Sequence, residues 1–279
     1  MIRVELLQLL RNRRTWVMIA LIDALPSLVA VLLSLTAIGP RPGTGPAFLS
    51  AVLTDGTLFP LAALAIVLPL FLPIAVALVA GESVAGEAQQ GTLRYLLVQP
   101  VGRGRLLVAK LVGVMAFVVL TVLVVAVTAY VLGVLLLGNG DVTAGSAVVP
   151  GEAATSVSGS TLSTAELAVR TLLALAYAML CMLGVAAIAL FFSTVADSPL
   201  GAALATMAVL IASTLLFTLD AADVVRDVLP TRYWLAFVDL FRDPILWRDL
   251  VRGVLLQGAY VAVFLAAAWA NFATKDVTD

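Results

Sequence analysis

The chain has 279 residues, of which 62% are hydrophobic and only 12% charged, and its formal net charge is −1. Soluble domains carry about 45–50% apolar and about 25% charged residues, so this composition excludes a soluble enzyme, a secreted disulfide scaffold and a disordered tail. Apolar runs of about 20 residues, enough to cross about 30 Å of hydrocarbon, recur along the chain. They predict an all-α polytopic membrane protein that forms a single transmembrane domain.

Six apolar runs are long enough to cross a membrane as helices. The second contains Pro69 and Pro73, and we expect these prolines to kink it. The third exceeds one crossing, so it is expected to begin at or outside the membrane interface. Small residues such as Gly113, Gly184 and Gly201 favour close packing between spans. The predicted spans cover residues 16–38, 58–80, 106–137, 167–192, 200–219 and 254–272.

Basic segments set the expected orientation of the spans. Lys and Arg are concentrated in residues 11–14, before the first span, and in residues 94–110, between the second and third spans. Cytoplasmic loops carry the excess of these residues, so both termini and the segment 81–105 are expected on the cytoplasmic side of the inner membrane. The segment 220–252 opposes this assignment, because it would be external and yet holds five arginines beside six aspartates.

Three segments outside the spans have patterns of their own. Residues 2–14 are amphipathic and predict an interfacial helix on the cytoplasmic side, or else a continuation of the first span. The aromatic-rich stretch after Pro230 predicts two short interfacial helices on the outer leaflet, or an amphipathic helix packed on a partner chain. Residues 139–166 are rich in Gly, Ser, Thr and Ala and predict an external loop, with a binding role left open.

The residue types that the chain lacks narrow its chemistry. It contains no histidine and one cysteine, Cys181, so it cannot build a His/Cys metal site or a histidine-based catalytic triad. Neither Lys110 nor Lys275 follows the glycine spacing of a Walker A loop. We therefore expect no catalytic residue, metal or cofactor in this chain, and ATP-driven work would need a separate subunit.

The segment 81–105, which joins the second and third spans, is the most polar of the expected cytoplasmic segments. Gly91 and Thr92 indicate a helix break followed by a new N-cap, and Pro100 ends the helix that follows. Three leucines form an apolar stripe between them, at positions 93, 96 and 97. The pattern predicts a short amphipathic helix that a groove on another protein can bind.

The same segment resembles the permease subunits of type 2 ABC transporters. Its pattern G-E-x-x-x-G-T-L-x-x-L-L-x-x-P-x-x-R is followed by a lysine, as in that family, with Gly102 and Ala109 as minor departures. Residues 5–14 and 272–277 are similar to the family's amphipathic lead-in and short tail, so the resemblance covers essentially the whole chain. The matching positions are Gly86, Glu87, Gly91, Thr92, Leu93, Leu96, Leu97, Pro100, Arg103 and Lys110.

The resemblance implies a membrane subunit that dimerises, with itself or with a second permease, and binds two copies of a separate cytoplasmic ATPase. That partner would hold ATP and Mg. A hydrophobic or amphipathic substrate, such as an antibiotic or a lipid, would be exported at the interface between protomers, among membrane lipids, and no nucleic-acid partner is expected. The implied ATPase-coupling region comprises Glu87, Gly91, Thr92, Leu93, Arg94, Leu96, Leu97, Pro100 and Arg103.

Asp23 is a carboxylate about 10 Å into the first predicted span. An intramembrane carboxylate costs about 2.5–3.5 kcal/mol on insertion scales, so it should face protein or water. Two interpretations remain open at this point. Asp23 belongs to a translocation path or gate, or it is a structural partner for a hydroxyl side chain on a neighbouring span.

Other classes of membrane protein are alternatives to an exporter permease. A secondary transporter often shows internal repeats and charged midplane sites, and neither pattern is found in this sequence. A membrane-embedded enzyme would need histidine or a pair of carboxylates inside the spans. A membrane assembly or maturation factor without transport activity is the third alternative. An ATPase that copurifies with the chain would favour the permease.

Overall fold

The computed structural model describes residues 2–36, 56–89, 103–138, 152–155, 161–219 and 223–274. Within these ranges six helices are long and apolar enough to cross a membrane, which confirms the prediction of an all-α, multi-pass protein. A short antiparallel hairpin of β1 (Glu152–Thr155) and β2 (Thr161–Ser163) lies in the segment predicted as a loop. The helices are α1 (Ile2–Arg11), α2 (Arg13–Thr36), α3 (Phe59–Val67), α4 (Phe71–Gln89), α5 (Arg103–Leu132), α6 (Thr164–Val195), α7 (Pro199–Thr218), α8 (Asp223–Arg226) and α9 (Trp247–Thr274).

The amphipathic N-terminal segment forms a helix of its own. Asn12 separates α1 from α2, and its Oδ1 accepts a hydrogen bond of 3.0 Å from the backbone N–H of Arg14. Because this bond satisfies a free N–H group in the first turn of α2, it fixes where the membrane helix begins. α1 packs mainly along α5. The prediction of a separate helix is confirmed, and the alternative of an unbroken first span is wrong.

The second predicted span is broken in the structure. α3 ends at Val67, α4 begins at Phe71, and Pro69 lies in the exposed turn between them. Pro69 lacks an N–H and cannot continue the hydrogen bonds of α3, whereas Pro73 lies in the first turn of α4, where N–H groups have no intrahelical partner. The break lets α3 pack on α2 and α5 while α4 packs on α6 and α7. The expected kink is confirmed, and α4 continues to Gln89, past the predicted end at residue 80.

The third predicted span extends beyond one bilayer crossing, as expected. The apolar helix runs over Gly104–Leu137 and has 34 residues. At a rise of about 1.5 Å per residue it is about 50 Å long, which exceeds the hydrocarbon thickness of about 30 Å. Its last turn, Gly133–Leu137, is π-helical. The helix is therefore too long to lie within the apolar layer over its whole length, and the projection of its start from that layer stays a prediction.

α6 is the central helix of the bundle and packs against α4, α5, α7 and α9. Residues 185–190 are each no more than 1% exposed, as expected of a helix that is buried on every face. A capping box fixes its start: Ser163 Oγ accepts a hydrogen bond from the Glu166 N–H, and Glu166 accepts one from the Ser163 N–H. The helix thus connects all the other long helices except α2.

The aromatic stretch before the last span differs from its prediction. Residues Ala236–Phe241 form one short 3-10 helix, and Trp234, Phe237 and Phe241 are at most 4% exposed. They pack against α6 and α9 of the same chain, not on lipid or on a partner. The second short helix that we expected is the first turn of α9, which begins at Trp247 and not at residue 254. Spacing predicted an apolar face here, but it could not show which surface covers that face.

One end of the bundle gathers the helix ends that the predicted topology places on the same side. Glu5 of α1 and Glu87 at the end of α4 both contact Lys110 near the start of α5. Asn271 at the end of α9 donates hydrogen bonds of 3.1 Å to the carbonyl and hydroxyl oxygens of Thr194 at the end of α6. Each pair of these helix ends is separated along the chain by an even number of predicted spans, which is what places two ends on the same side of a membrane. That this end faces the cytoplasm stays a prediction.

Candidate functional site

Lys110 lies about two turns into α5, and its side chain is only 6% exposed. Its Nζ is 2.8 Å from Glu5 Oε1 and also donates a hydrogen bond to Glu87 Oε1. Glu5 belongs to α1 and Glu87 to the last turn of α4, so a single lysine joins three elements of the fold. We call these three residues the Lys110 cluster.

The charges of the Lys110 cluster explain how a lysine can be buried at this point. Removing an ammonium group from water is costly unless the group is paired and hydrogen-bonded. The two carboxylates provide the pairing, and their side chains are 25% and 24% exposed. Gly113, one turn further along α5, faces α1, and a Cβ there would make an ordinary contact of 3.5 Å with the Cβ of Glu5. The cluster therefore fastens α1 and α4 to α5.

A serine from α6 supports the last part of α4. Residues Glu82–Gly86 form a π-helical turn within that helix. Ser193 Oγ accepts hydrogen bonds from the backbone N–H groups of Val84, at 3.2 Å, and Ala85, at 3.0 Å. The same hydroxyl donates a hydrogen bond of 2.9 Å to the carbonyl of Gly81. We call this arrangement the Ser193 bridge; π-helical turns of this kind occur frequently at functional sites.

A cavity of about 430 Å³ opens beside the Lys110 cluster. It lies between α1, α2, α4, α5 and the start of α7, and both carboxylates of the cluster line it. In the part of the chain that the structure describes, no group of three His, Cys, Asp or Glu side chains could hold a metal ion. The charged residues that line the cavity are Glu5, Arg14, Glu82, Glu87 and Lys110.

The structure describes only part of the predicted coupling region. Glu87 lies in the Lys110 cluster, and Arg103 begins α5. Sequence reasoning did not single out Glu5 or Ser193 as site residues. Glu5 has a signal, because it is acidic and lies in the amphipathic lead-in helix, but Ser193 is an ordinary small polar residue in an apolar span. The coupling residues that lie outside the described ranges are Gly91, Thr92, Leu93, Arg94, Leu96, Leu97 and Pro100.

Asp23 of α2 contacts a hydroxyl group on a neighbouring span, as the structural interpretation predicts. Its Oδ1 accepts a hydrogen bond of 2.5 Å from Thr128 Oγ1 of α5. The same hydroxyl lies 2.8 Å from the carbonyl of Val124, and its one hydrogen can serve only one acceptor at a time. Asp23 therefore joins α2 to α5, and a role in a translocation path or gate stays a prediction.

The fold and the site define the chain as a multi-pass α-helical membrane protein with a charged cluster at one end of its bundle. A family model described as a protein of unknown function (DUF2705) matches residues 27–278. Because this match covers most of the chain, the protein belongs to the DUF2705 family. No curated protein matches the chain.

Proposed function

We propose that the chain is the permease subunit of an ATP-driven ABC exporter, which acts as a dimer with two copies of a separate ATPase at the cytoplasmic membrane. The motif in residues 86–110 supports the proposal by its resemblance to type 2 ABC permeases. The Lys110 cluster carries it: Glu87 is the first residue of the implied ATPase-coupling region, Lys110 follows that region, and the two residues are in contact. A displacement of that region would therefore act on α4, on α5 and, through Glu5, on α1.

The proposed mechanism moves the coupling regions when ATP draws the two ATPase copies together. In each permease, α4 would transmit the movement from Glu87 towards the break at Pro69, where the helix is interrupted. α3 packs mainly on α5, whereas α4 packs mainly on α6 and α7, so the two halves would shift relative to each other between two packings of the bundle. A hydrophobic or amphipathic substrate, such as an antibiotic or a lipid, would pass between the protomers.

The alternative functions assign a different role to the Lys110 cluster. A secondary transporter, or a maturation factor without transport activity, has no ATPase to bind. The cluster would then serve only to hold α1 and α4 on α5. Changes in it would alter stability, and no ATP hydrolysis would depend on it.

Affinity purification of the full chain in a mild detergent tests the proposal. We expect an ATPase to copurify in equal amounts, and its activity in the nanodisc complex to exceed that of the isolated ATPase. Glu87→Lys places a second cation against Lys110. We expect this variant to insert and fold but to lower ATP hydrolysis by about tenfold, which corresponds to about 1.4 kcal/mol.

Glu82→Lys is the matched control for this experiment. Glu82 lines the same cavity and is exposed to water, so the same reversal of charge occurs there without placing a cation against Lys110. We expect the control complex to hydrolyse ATP at nearly the wild-type rate. A solitary chain without an ATPase, or an unchanged rate in Glu87→Lys, contradicts the proposal.

A further inference from the structure

The Ser193 bridge takes the place of one backbone hydrogen bond of an α-helix. In an uninterrupted α-helix, the N–H of Ala85 would donate to the carbonyl of Gly81, four residues earlier. Here the Ala85 N–H donates to Ser193 Oγ at 3.0 Å, and Ser193 Oγ donates to that carbonyl at 2.9 Å. A side chain that inserts into the backbone ladder in this way is a recognised cause of helix irregularity. The hydroxyl and the π-helical turn therefore depend on each other.

The hydroxyl of Ser193 has its full hydrogen-bonding capacity in use. It has one hydrogen and two acceptor positions, and the Gly81 carbonyl and the N–H groups of Val84 and Ala85 occupy all three. Ser193 is only 1% exposed, so no water is needed to complete the arrangement. If the hydroxyl withdrew, the Ala85 N–H and the Gly81 carbonyl would be left to bond with each other.

We propose that Ser193 is a positioning residue that holds residues Glu82–Gly86 in the π-helical register, and that its withdrawal closes this turn into an α-helix. A π-helical turn contains one residue more than an α-helical turn, and one residue corresponds to about 100° of rotation and about 1.5 Å of rise. Closing the turn would rotate everything after it by that amount. Glu87 is the first residue after the turn, so it would rotate away from Lys110.

The neighbours of Ser193 show which helix movements would change the register of the π-helical turn. The adjacent Thr194 accepts two hydrogen bonds from Asn271, so the end of α6 moves with the end of α9. On its other side the turn packs on α7: a Cβ at Gly81 would lie 2.8 Å from the carbonyl oxygen of Pro199. A shift of α6 and α9 relative to α4 and α7 would therefore pull Ser193 from the turn. The connection of this register change to ATP hydrolysis rests on the proposed function, but the register change itself does not.

Distances between two spin labels on the full chain in nanodiscs test this inference. One label is attached at Gln89→Cys and the other at Val108→Cys, and both positions are exposed. The native Cys181 is fully buried and so is shielded from labelling. We expect Ser193→Ala to shift the distance by about 8 Å, the displacement of a group on a helix surface that rotates by about 100°. A second pair at Val127→Cys and Leu204→Cys, on α5 and α7, should keep its distance.

A deletion makes the test specific to the register. Removing Ser83 together with Ser193→Ala takes out the extra residue, so an α-helical turn would again direct Glu87 towards Lys110. We expect this double variant to fold and to restore the wild-type distance between the labels at positions 89 and 108. If Ser193→Ala alone does not fold, the double variant still decides the question.

Three results would overturn the inference. These are a wild-type distance in Ser193→Ala, a double variant that fails to fold or keeps the shifted distance, and an equal shift in the control pair on α5 and α7. None of these distances depends on an ATPase partner. A chain that purifies without an ATPase would therefore contradict the proposed function and leave this inference intact.

Discussion

The two ends of the helical bundle are fastened by different kinds of interaction. At one end, the Lys110 cluster and the Ser193 bridge join α1, α4, α5 and α6 through charges and one inserted hydroxyl. At the other end, three side chains bind backbone carbonyls of the segment between α8 and α9. Arg170 Nη1 donates to the carbonyls of Leu240 and Arg242, each at 3.1 Å. The two uncharged donors, Tyr177 and Gln257, define what we call the neutral end. Tyr177 Oη donates to the carbonyl of Tyr233 at 2.7 Å, and Gln257 Nε2 donates to that of Pro230 at 2.8 Å.

The difference separates a fixed part of the molecule from an adjustable one. At the neutral end, Gly184 leaves the space that the Gln257 side chain fills, and Gly253 leaves the space for the Tyr177 hydroxyl. Such interlocked packing has one good arrangement. At the charged end, the contacts depend on the charge balance of the Lys110 cluster and on the register of one π-helical turn. A change in either would give a second arrangement of these helix ends. Under the proposed function, the neutral end would be the scaffold against which the charged end moves.

The largest expected effect comes from Gly253→Ala at the neutral end. A Cβ there would overlap the Tyr177 hydroxyl and lie 3.0 Å from the Cβ of Tyr233, so the tyrosine would have to give up its hydrogen bond. We expect the free energy of unfolding, measured by SDS titration in mixed micelles, to fall by about 3 kcal/mol from overpacking and the lost bond. Gly258→Ala is the matched control on the same helix, because nothing lies within 4 Å of its Cβ position. Equal losses in the two variants would contradict this account of the neutral end.

A smaller loss is expected from Lys110→Met at the charged end. The variant leaves Glu5 and Glu87 facing each other without a cation. Breaking a fully buried ion pair costs about 3–5 kcal/mol, but these carboxylates are about one quarter exposed, so we expect about 2 kcal/mol in the same titration. Arg105→Met removes an exposed cation from the same helix and should have little effect.

Neutralising the carboxylates sharpens the test of charge balance. Either carboxylate alone can pair with Lys110, so Glu5→Gln and Glu87→Gln should each change stability by less than about 1 kcal/mol. The double variant leaves Lys110 buried without a counter-ion, and its loss should exceed the sum of the single losses. Additive losses in this double-mutant cycle would mean that the three residues do not act as one cluster.

The smallest expected effect is that of Asp23→Ala, near the middle of the bundle. The Thr128 hydroxyl can turn to the carbonyl of Val124 when the carboxylate is lost, so we expect a loss of less than about 1 kcal/mol and a lower yield of folded protein. Export by the reconstituted complex should be unaffected if the role of Asp23 is structural. Normal stability with abolished export would instead favour a place in the translocation path.

Local signals explain which elements could be predicted. Hydropathy over about 20 residues is a property of the chain alone, so six apolar spans could be predicted, although the second is displaced from residues 58–80 to Phe71–Gln89. Pro69 removes a backbone donor wherever it occurs, so a distortion of the second span was predicted as a kink, and the structure shows a break there. The 3-10 helix Ala236–Phe241 was misjudged, because its apolar face is covered by α6 and α9, which are distant in sequence.

The candidate site was only partly predictable for the same reason. Glu87 and Lys110 belong to a motif that can be read along the chain, but their contact closes a segment of intervening residues and is not a local property. Ser193 has no distinguishing neighbours in its apolar run. Its role becomes visible only when α6 brings it against the turn in α4.

The sequence by itself determined that this protein is a multi-pass membrane protein, that six of its segments are apolar enough to cross a membrane as helices and that prolines distort one of them, because each of these depends on the hydropathy and backbone chemistry of adjacent residues. Only the tertiary structure decided which polar side chains meet. Glu5, Glu87 and Lys110 come from three separate elements, and Ser193 from a fourth. Their contacts exist because burying an unpaired charge or backbone group is costly, and the packing of the helices determines which partners are within reach.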